Sequence, residues 1–448
     1  MILSSRRIAQ LASAVHSGPE RTVTSVSVDS RTLAEGALYV ALRGGRVDGH
    51  SFVKEAVDRG AAALLVEKDQ LARTLEATSA RAAVIACDDC ASALRRFASL
   101  YAAGMRSCTG IAVTGSCGKT TTKEMVASIL SVGHSVASTP GNLNSTIGLP
   151  LSVLTMEEGD EYAVFEMGID HVGEMDELVS VFPPQIAAVT NIGLSHLASF
   201  GSMVATAREK GRIFLPQTQG FILDDNPFGD YFRSLSPAIE TVSNPFGLVE
   251  DLGLDGIRLR LGREDFVMPT FGMHNVKDAS LAVAICRHLG LDDWQMAQGL
   301  STLKPLFGRS RVMREGRLTV IEDCYNASLD SVSDAIASLS RLSWKGDKLI
   351  VLGDMRELGS ACKDAHRKVG QALGKADCDH IFLYGEAMEE AYRVLYDMGE
   401  SAKVVYTDSF SVLSQSLRKE TKRGDLVLLK GSRAMAMERL HDVLREVP

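Results

Sequence analysis

The sequence predicts an α/β protein of three domains, with a phosphate-binding loop in the central one. Three observations carry that expectation. From about residue 107 onward, short β-branched runs alternate with amphipathic helical stretches, the pattern of parallel sheets covered by helices on both faces. A glycine turn, Gly115-Ser116-Cys117-Gly118-Lys119-Thr120-Thr121, joins one such strand to one such helix. A chain of 448 residues also exceeds what one hydrophobic core usually serves.

In chain order, GIAVTG, EYAVFEMG, QIAAVTNIG, LTVIEDCYN, DKLIVLGDM, HIFLYG, AKVVYT and DLVLLKGS read as strands. Between them KTTTKEMVASILSVG, SDAIASLSRL, KDAHRKVGQALGKA and AMEEAYRVLYDMG carry the helical period. Two stretches look like joints. Ala103-Gly-Met-Arg-Ser-Cys-Thr-Gly110 precedes the phosphate-loop strand, and Lys304-Pro-Leu-Phe-Gly-Arg-Ser-Arg311 combines Pro, Gly and basic residues ahead of a new βα series. The units expected are therefore 1–106, 107–310 and 311–448. Residues 236–272, including GIRLRLGREDFVMPTFG, alternate apolar and polar positions like antiparallel hairpins inserted in the middle unit.

Composition excludes several classes. The chain is 45% hydrophobic and 23% charged with a net charge of -8, which argues against a broad footprint for nucleic acid or acidic lipid. No stretch approaches the roughly 18 apolar residues of a membrane span. Arg6 and Arg7 precede only a short, broken apolar run, unlike a signal peptide. The expectation is a cytosolic monomer acting on small molecules, with no nucleic-acid partner and no membrane insertion. Of eight cysteines, only Cys87-Asp-Asp-Cys90 has metal or redox spacing, and no second pair completes it, so reduced thiols are expected.

The glycine turn has the context that a working phosphate loop needs. Its glycines let backbone N–H groups face phosphates, the following helix adds its positive N-terminus, Lys119 can reach the terminal phosphates, and Thr120 can offer its hydroxyl to Mg²⁺. The loop is shortened, because Val113 stands where the usual motif has its first glycine. Glu166 and His196 follow two neighbouring predicted strands, at the sheet edge where ligands gather. An edge charge and a loop histidine are the bland alternatives for these two residues.

The shortened loop is similar to the Gly-x-x-Gly-Lys-Thr-Thr of the Mur ligases of peptidoglycan synthesis, which share their ATPase core with folylpolyglutamate synthases. Thr139-Pro-Gly-Asn-Leu-Asn144 with Ile147-Gly-Leu-Pro150, Glu166-Met-Gly168, Thr190-Asn-Ile-Gly-Leu-Ser-His196, Phe271-Gly-Met-His-Asn275 and Gly308-Arg309 resemble further family motifs. Ser27-Val-Asp-Ser-Arg31, Asp48-Gly-His50, Asp323-Cys-Tyr-Asn-Ala327, Leu352-Gly-Asp-Met-Arg-Glu-Leu-Gly359 with His366, and Leu429-Lys-Gly-Ser-Arg433 resemble the branch that adds D-alanyl-D-alanine.

The resemblance implies a small N-terminal α/β UDP-binding domain, a central P-loop ATPase-like parallel sheet and a C-terminal Rossmann-like α/β domain binding the incoming amine. It implies ATP and two Mg²⁺ ions, with UDP-N-acetylmuramoyl tripeptide and D-alanyl-D-alanine as the substrates to be joined. By its motifs, Gly115, Ser116, Cys117, Gly118, Lys119, Thr120 and Thr121 would hold ATP phosphates, Asn275 the adenine, and Arg309 and Asp323 the nucleotide at the joint. Thr120, Glu166 and His196 would ligate magnesium, together with Lys210 carbamylated by CO₂, since only the carbamate carries the negative charge a cation needs. Ser27, Asp29, Ser30, Arg31, Asp48 and His50 would bind the uridine nucleotide; Thr139, Asn142 and Asn144 the muramoyl peptide; and Asn326 and Ser331 the dipeptide.

Three positions depart from the family pattern. Ser145 and Asp278 stand where asparagine is usual, and Leu329 where proline is usual. The rival readings are another ligase of the superfamily, distinguished by the amine that stimulates ATP turnover, and a nucleotide-hydrolysing switch, which would form no amide.

Overall fold

The computed structural model describes every residue except Arg46, Ser195, His196, Gly316 and Pro448. The N-terminal part builds a five-stranded sheet in the order Val15–Ser17, Ala83–Cys87, Ala63–Glu67, Ala37–Val40, Ser25–Ser27, with only the first strand antiparallel. Ala37–Val40 and Ala83–Cys87 are buried at every position, as their uninterrupted apolar runs require of strands covered on both faces. The helix Cys90–Ala103 starts where Asp89 accepts a hydrogen bond from the Ser92 amide at 2.7 Å. It also ties this sheet to the middle one. Phe97 and Ala98 share a core with Phe165 and Phe182, and Tyr101 donates to the Met156 carbonyl at 2.7 Å.

The middle sheet has six parallel strands in the order Ile239–Val242, Gln219–Leu223, Ile186–Val189, Thr109–Thr114, Tyr162–Glu166, Val136–Ser138. The phosphate-loop strand Thr109–Thr114 is therefore central. Register sets Val113 beside Glu166 and Thr114 beside Val189, so the carboxyl ends of three strands open at one level. The helix Lys119–Leu130 leaves the loop and packs against Asn275–His288 and Asp293–Ser301. Gly299 permits that approach, since a Cβ there would run into the Ile129 backbone.

One expectation is corrected here. The antiparallel insertion comprises only Leu248–Asp251, Ile257–Leu261 and Glu264–Met268, whereas Ile239–Val242 joins the main sheet in parallel. The reason lies in burial: Ile257–Leu261 alternates buried and exposed, while Ile239 and Val242 bury the two ends of their strand and leave Glu240 and Thr241 outside.

The third sheet runs Arg311–Glu315, Leu318–Asp323, Leu426–Lys430, Lys348–Gly353, His380–Tyr384, Val404–Thr407. Five strands are parallel, as alternation predicts, but Arg311–Glu315 forms an antiparallel hairpin with its neighbour. Two residues separate these strands, too few for the helical crossover a parallel pair needs.

Candidate active site

Backbone geometry gives the phosphate loop its shape. Gly115 and Gly118 have φ of 149° and 79°, and neighbouring strands brace the turn between them. The Asn191 side-chain oxygen accepts from the Cys117 amide at 2.7 Å, Ser116 Oγ accepts from the Gly193 amide at 2.9 Å, and Thr190 Oγ1 donates to the Cys117 carbonyl. Lys119 Nζ lies over the loop, donating to the Gly115 and Ser116 carbonyls at 3.0 and 3.4 Å. Behind it Thr120 Oγ1 donates to Glu166 Oε2 at 2.7 Å, and Asn144 Nδ2 donates to Glu166 Oε1 at 2.6 Å. Thr139 Oγ1 accepts from the Glu166 amide at 2.8 Å, so Thr139 positions the carboxylate through its backbone.

The loop opens onto a cavity of about 550 Å³ whose far wall belongs to the third sheet. Asn326, Ser328 and Ser331 line it opposite the loop, and Ser328 Oγ lies 3.0 Å from Cys117 Sγ. Ser328 and Ser331 cap the helix Leu329–Arg341 reciprocally, so its positive N-terminus faces the phosphate loop. Asn275 is buried in the same cavity. Its Nδ2 donates to the Phe271 and Gly272 carbonyls, both at 2.9 Å, which leaves Oδ1 as the free acceptor. Arg309, at the joint, stacks 4.2 Å above the Tyr325 ring and donates to Thr120 Oγ1 at 3.3 Å. Asp323 accepts from the Ser310 amide at 3.1 Å and pairs with buried Lys430 at 2.5 Å.

Two buried groups near the loop have acidity shifted to about neutrality. Lys210 is 1% exposed, and burial, reinforced by the charge of Lys119, lowers its ammonium to about 7. Asp278, under the loop, is pushed up to about 7 by burial.

Other predicted residues stand apart. Asp29, Ser30, Arg31, Asp48 and His50 sit in loops and a short helical turn beside the N-terminal sheet and do not line the cavity. The Arg31 guanidinium grips Asp29 through two hydrogen bonds of 2.9 and 2.7 Å and holds its carboxyl at about 2. Ser27 Oγ donates to the Asp29 carbonyl and Ser30 Oγ to Glu55. His50 uses both ring nitrogens on the chain itself: Nε2 accepts from the Glu67 amide at 3.0 Å, leaving Nδ1 to donate to Asp48 at 2.7 Å. Asn142 is exposed on the turn before Asn144. His196 lies outside the described residues.

The loop-bracing roles of Thr190 and Asn191 escaped sequence reasoning, although the pair stands in a motif quoted for other reasons. Asp278 was visible there as a departure, without its burial.

Models of Mur ligase domains match residues 22–102 (Mur ligase family, catalytic domain), 113–286 (Mur ligase middle domain) and 308–433 (Mur ligase, glutamate ligase domain). The UDP-N-acetylmuramoyl-tripeptide--D-alanyl-D-alanine ligase of Treponema pallidum is 36% identical over 440 residues, covering 95% of each chain. This chain belongs to the Mur ligase family. The Bacillus subtilis ligase of the same name is 33% identical to this Mur ligase over 455 residues, covering 99% of this chain and 98% of the relative. Among solved structures, MurF from Acinetobacter baumannii superimposes with a TM-score of 0.85 at 27% identity, covering 100% of this chain and 99% of that one. MurF from Thermotoga maritima in complex with ADP superimposes at 0.76 and 27% identity, over 95% and 97%. The fold of this Mur ligase is thus the three-domain α/β architecture of those structures.

Magnesium suits the groups the loop gathers. The Thr120 hydroxyl and Glu166 carboxylate are adjacent hard oxygen donors. No cluster of three or more His, Cys, Asp or Glu that could hold a metal ion occurs among the described residues. No helix is long and apolar enough to cross a membrane, among the described residues.

Proposed function

We propose that this Mur ligase joins D-alanyl-D-alanine to UDP-N-acetylmuramoyl tripeptide, cleaving ATP to ADP and phosphate. The observation that carries this reading is the cavity between the phosphate loop and the carboxyl edge of the third sheet, in a chain about a third identical end to end to ligases of that name. A carboxylate does not accept an amine directly, because it is resonance-stabilised and would have to expel oxide. The tripeptide carboxylate therefore attacks the γ-phosphorus, ADP leaves, and the resulting acyl phosphate offers phosphate as a leaving group to the dipeptide amine. The chain contributes mainly position and charge.

Lys119 and the loop amides hold the β- and γ-phosphates, the free Oδ1 of Asn275 accepts from the adenine amino group, and Arg309 with Asp323 clamps the nucleotide at the joint. Arg31 and its neighbours take the uridine end; Thr139, Asn142 and Asn144 line the peptide path; Asn326 and Ser331 face the dipeptide. Enclosing the reaction between two domains would also keep water from the acyl phosphate. Thr120, Glu166, His196 and a carbamylated Lys210 are the proposed magnesium ligands, and bound magnesium would offset charge on the transferring phosphoryl group.

Burial supports the carbamate, since only the neutral amine reacts with CO₂. Nζ bonds to the CO₂ carbon and loses a proton, so a negative group replaces a buried cation. With ¹³C-bicarbonate, the wild-type protein is expected to give a carbamate carbon signal that Lys210→Met lacks; equal spectra would overturn the assignment.

The decisive experiment supplies ATP, Mg²⁺, UDP-N-acetylmuramoyl tripeptide and candidate amines, and follows products by mass spectrometry. Phosphate release and a pentapeptide product are expected with D-alanyl-D-alanine and not with diaminopimelate, lysine or glutamate. Phosphate release without amide would point instead to a nucleotide-driven switch. A nucleotide-linked sugar substrate calls for a cytosolic enzyme, and we take one chain as its working unit, which light scattering of the purified protein tests.

A further inference from the structure

Asp278 occupies the first turn of the helix Asn275–His288, directly beneath Gly118 of the phosphate loop. Only 7% of it is exposed, and it lines the cavity that receives the nucleotide. The cations around it are engaged elsewhere. On its own helix, Lys277 pairs with Asp225. On the phosphate-loop helix, Lys119 bonds to loop carbonyls, and Lys123 bonds to the Thr139 carbonyl and Glu124. At the joint, Arg309 stacks on Tyr325 and bonds to Thr120. From the third domain, Asp334 adds a like charge. The Thr122 hydroxyl on the phosphate-loop helix and the charges of Arg309 and Lys277 favour its anion, but burial in a dry place outweighs them, and the expected ligand is itself an anion. Ionised, it would repel phosphates held by the loop above it through low-dielectric surroundings; protonated, it is neutral and can donate a hydrogen bond.

We infer that Asp278 takes up a proton when the nucleotide binds, so that nucleotide affinity falls as pH rises above neutrality. The inference rests on the ATP-binding reading above and adds a proton to it. The sign follows from linkage. Phosphate charge raises the carboxyl's proton affinity in the complex, and reciprocally a proton on Asp278 strengthens nucleotide binding. Below neutrality the free protein already carries the proton and pH has no effect through this group. Above neutrality the proton must be captured on binding, and affinity drops.

Calorimetric titration of the full-length protein with ADP and excess Mg²⁺ tests this. Between pH 7 and 8.5 the wild-type Kd is expected to rise about tenfold. At pH 8 its binding heat is expected to change between phosphate and Tris buffers in the sense of proton uptake. Asp278→Asn, isosteric and permanently neutral, is expected to lose both effects; the titration of ADP itself is common to the two proteins and cancels in the comparison. An unchanged slope and uptake in Asp278→Asn would overturn the inference. So would wild-type heats that do not depend on buffer, a result that needs no variant to fold. Wild-type protein that binds no ADP at any pH would instead overturn the ATP reading, and this inference with it.

Discussion

Lys119→Ala is expected to lower kcat by at least about 1000-fold while leaving the thermal midpoint nearly unchanged. Phosphate-transfer sites act mostly by placing positive charge where negative charge collects, and Lys119 is the cation that the loop itself carries. Among the described residues its ammonium bonds to the Gly115 and Ser116 carbonyls, so its loss removes charge without opening the core. Arg309 reaches Thr120 from the joint, where it is stacked on Tyr325, and so does not replace a cation on the loop itself. Steady-state phosphate release and a thermal melt check the two halves of the expectation. Turnover within tenfold of wild type would mean that the loop does not hold the reacting phosphate.

Gly118→Ala is expected to weaken nucleotide binding by about 100-fold, from two additive causes. At φ 79° the backbone is left-handed, where a Cβ costs about 1–2 kcal/mol. That Cβ would also collide with the Asp278 carboxyl, which lies on a packed helix with little room to retreat. Relief requires the loop to shift, and the amides that face the phosphates move with it. The double variant with Asp278→Ala removes the collision and keeps the backbone strain, so it is expected to recover part of the lost affinity. Fluorescence titration with an ADP analogue measures both. Full affinity in the single variant would show that the loop tolerates another backbone conformation.

These two residues were legible in the sequence because their signal is local. Strand, glycine turn and helix follow one another within about twenty residues, and the same holds for the alternating strands and helices around them. Every predicted strand after residue 107 forms, most within a residue or two at each end because their apolar runs are buried. QIAAVTNIG, however, ends at Val189 and LTVIEDCYN at Asp323, and the edge strand Val404–Thr407 is only half-buried. The errors arose where a local pattern has two tertiary uses. Ile239–Val242 is apolar only at its ends, which suits a hairpin or the edge of a parallel sheet, and the crossover helix Gly229–Leu235 decides for the latter.

Residue by residue, the picture at the site is similar. Chain pattern alone marks the phosphate loop, its following helix, the α/β class and the strand end that carries Glu166. Packing assigns the rest: Thr190 and Asn191 brace the loop from the end of another strand, Lys430 pairs with Asp323 from a strand 107 residues away, and Lys210 and Asp278 are brought into dry surroundings near the phosphate loop. The physical reason is that an ionisable group's charge depends on its solvent exposure and on neighbours within a few ångströms. Those neighbours come from distant parts of the chain, so a lysine or aspartate looks the same in sequence whether it is solvated or buried beside a phosphate.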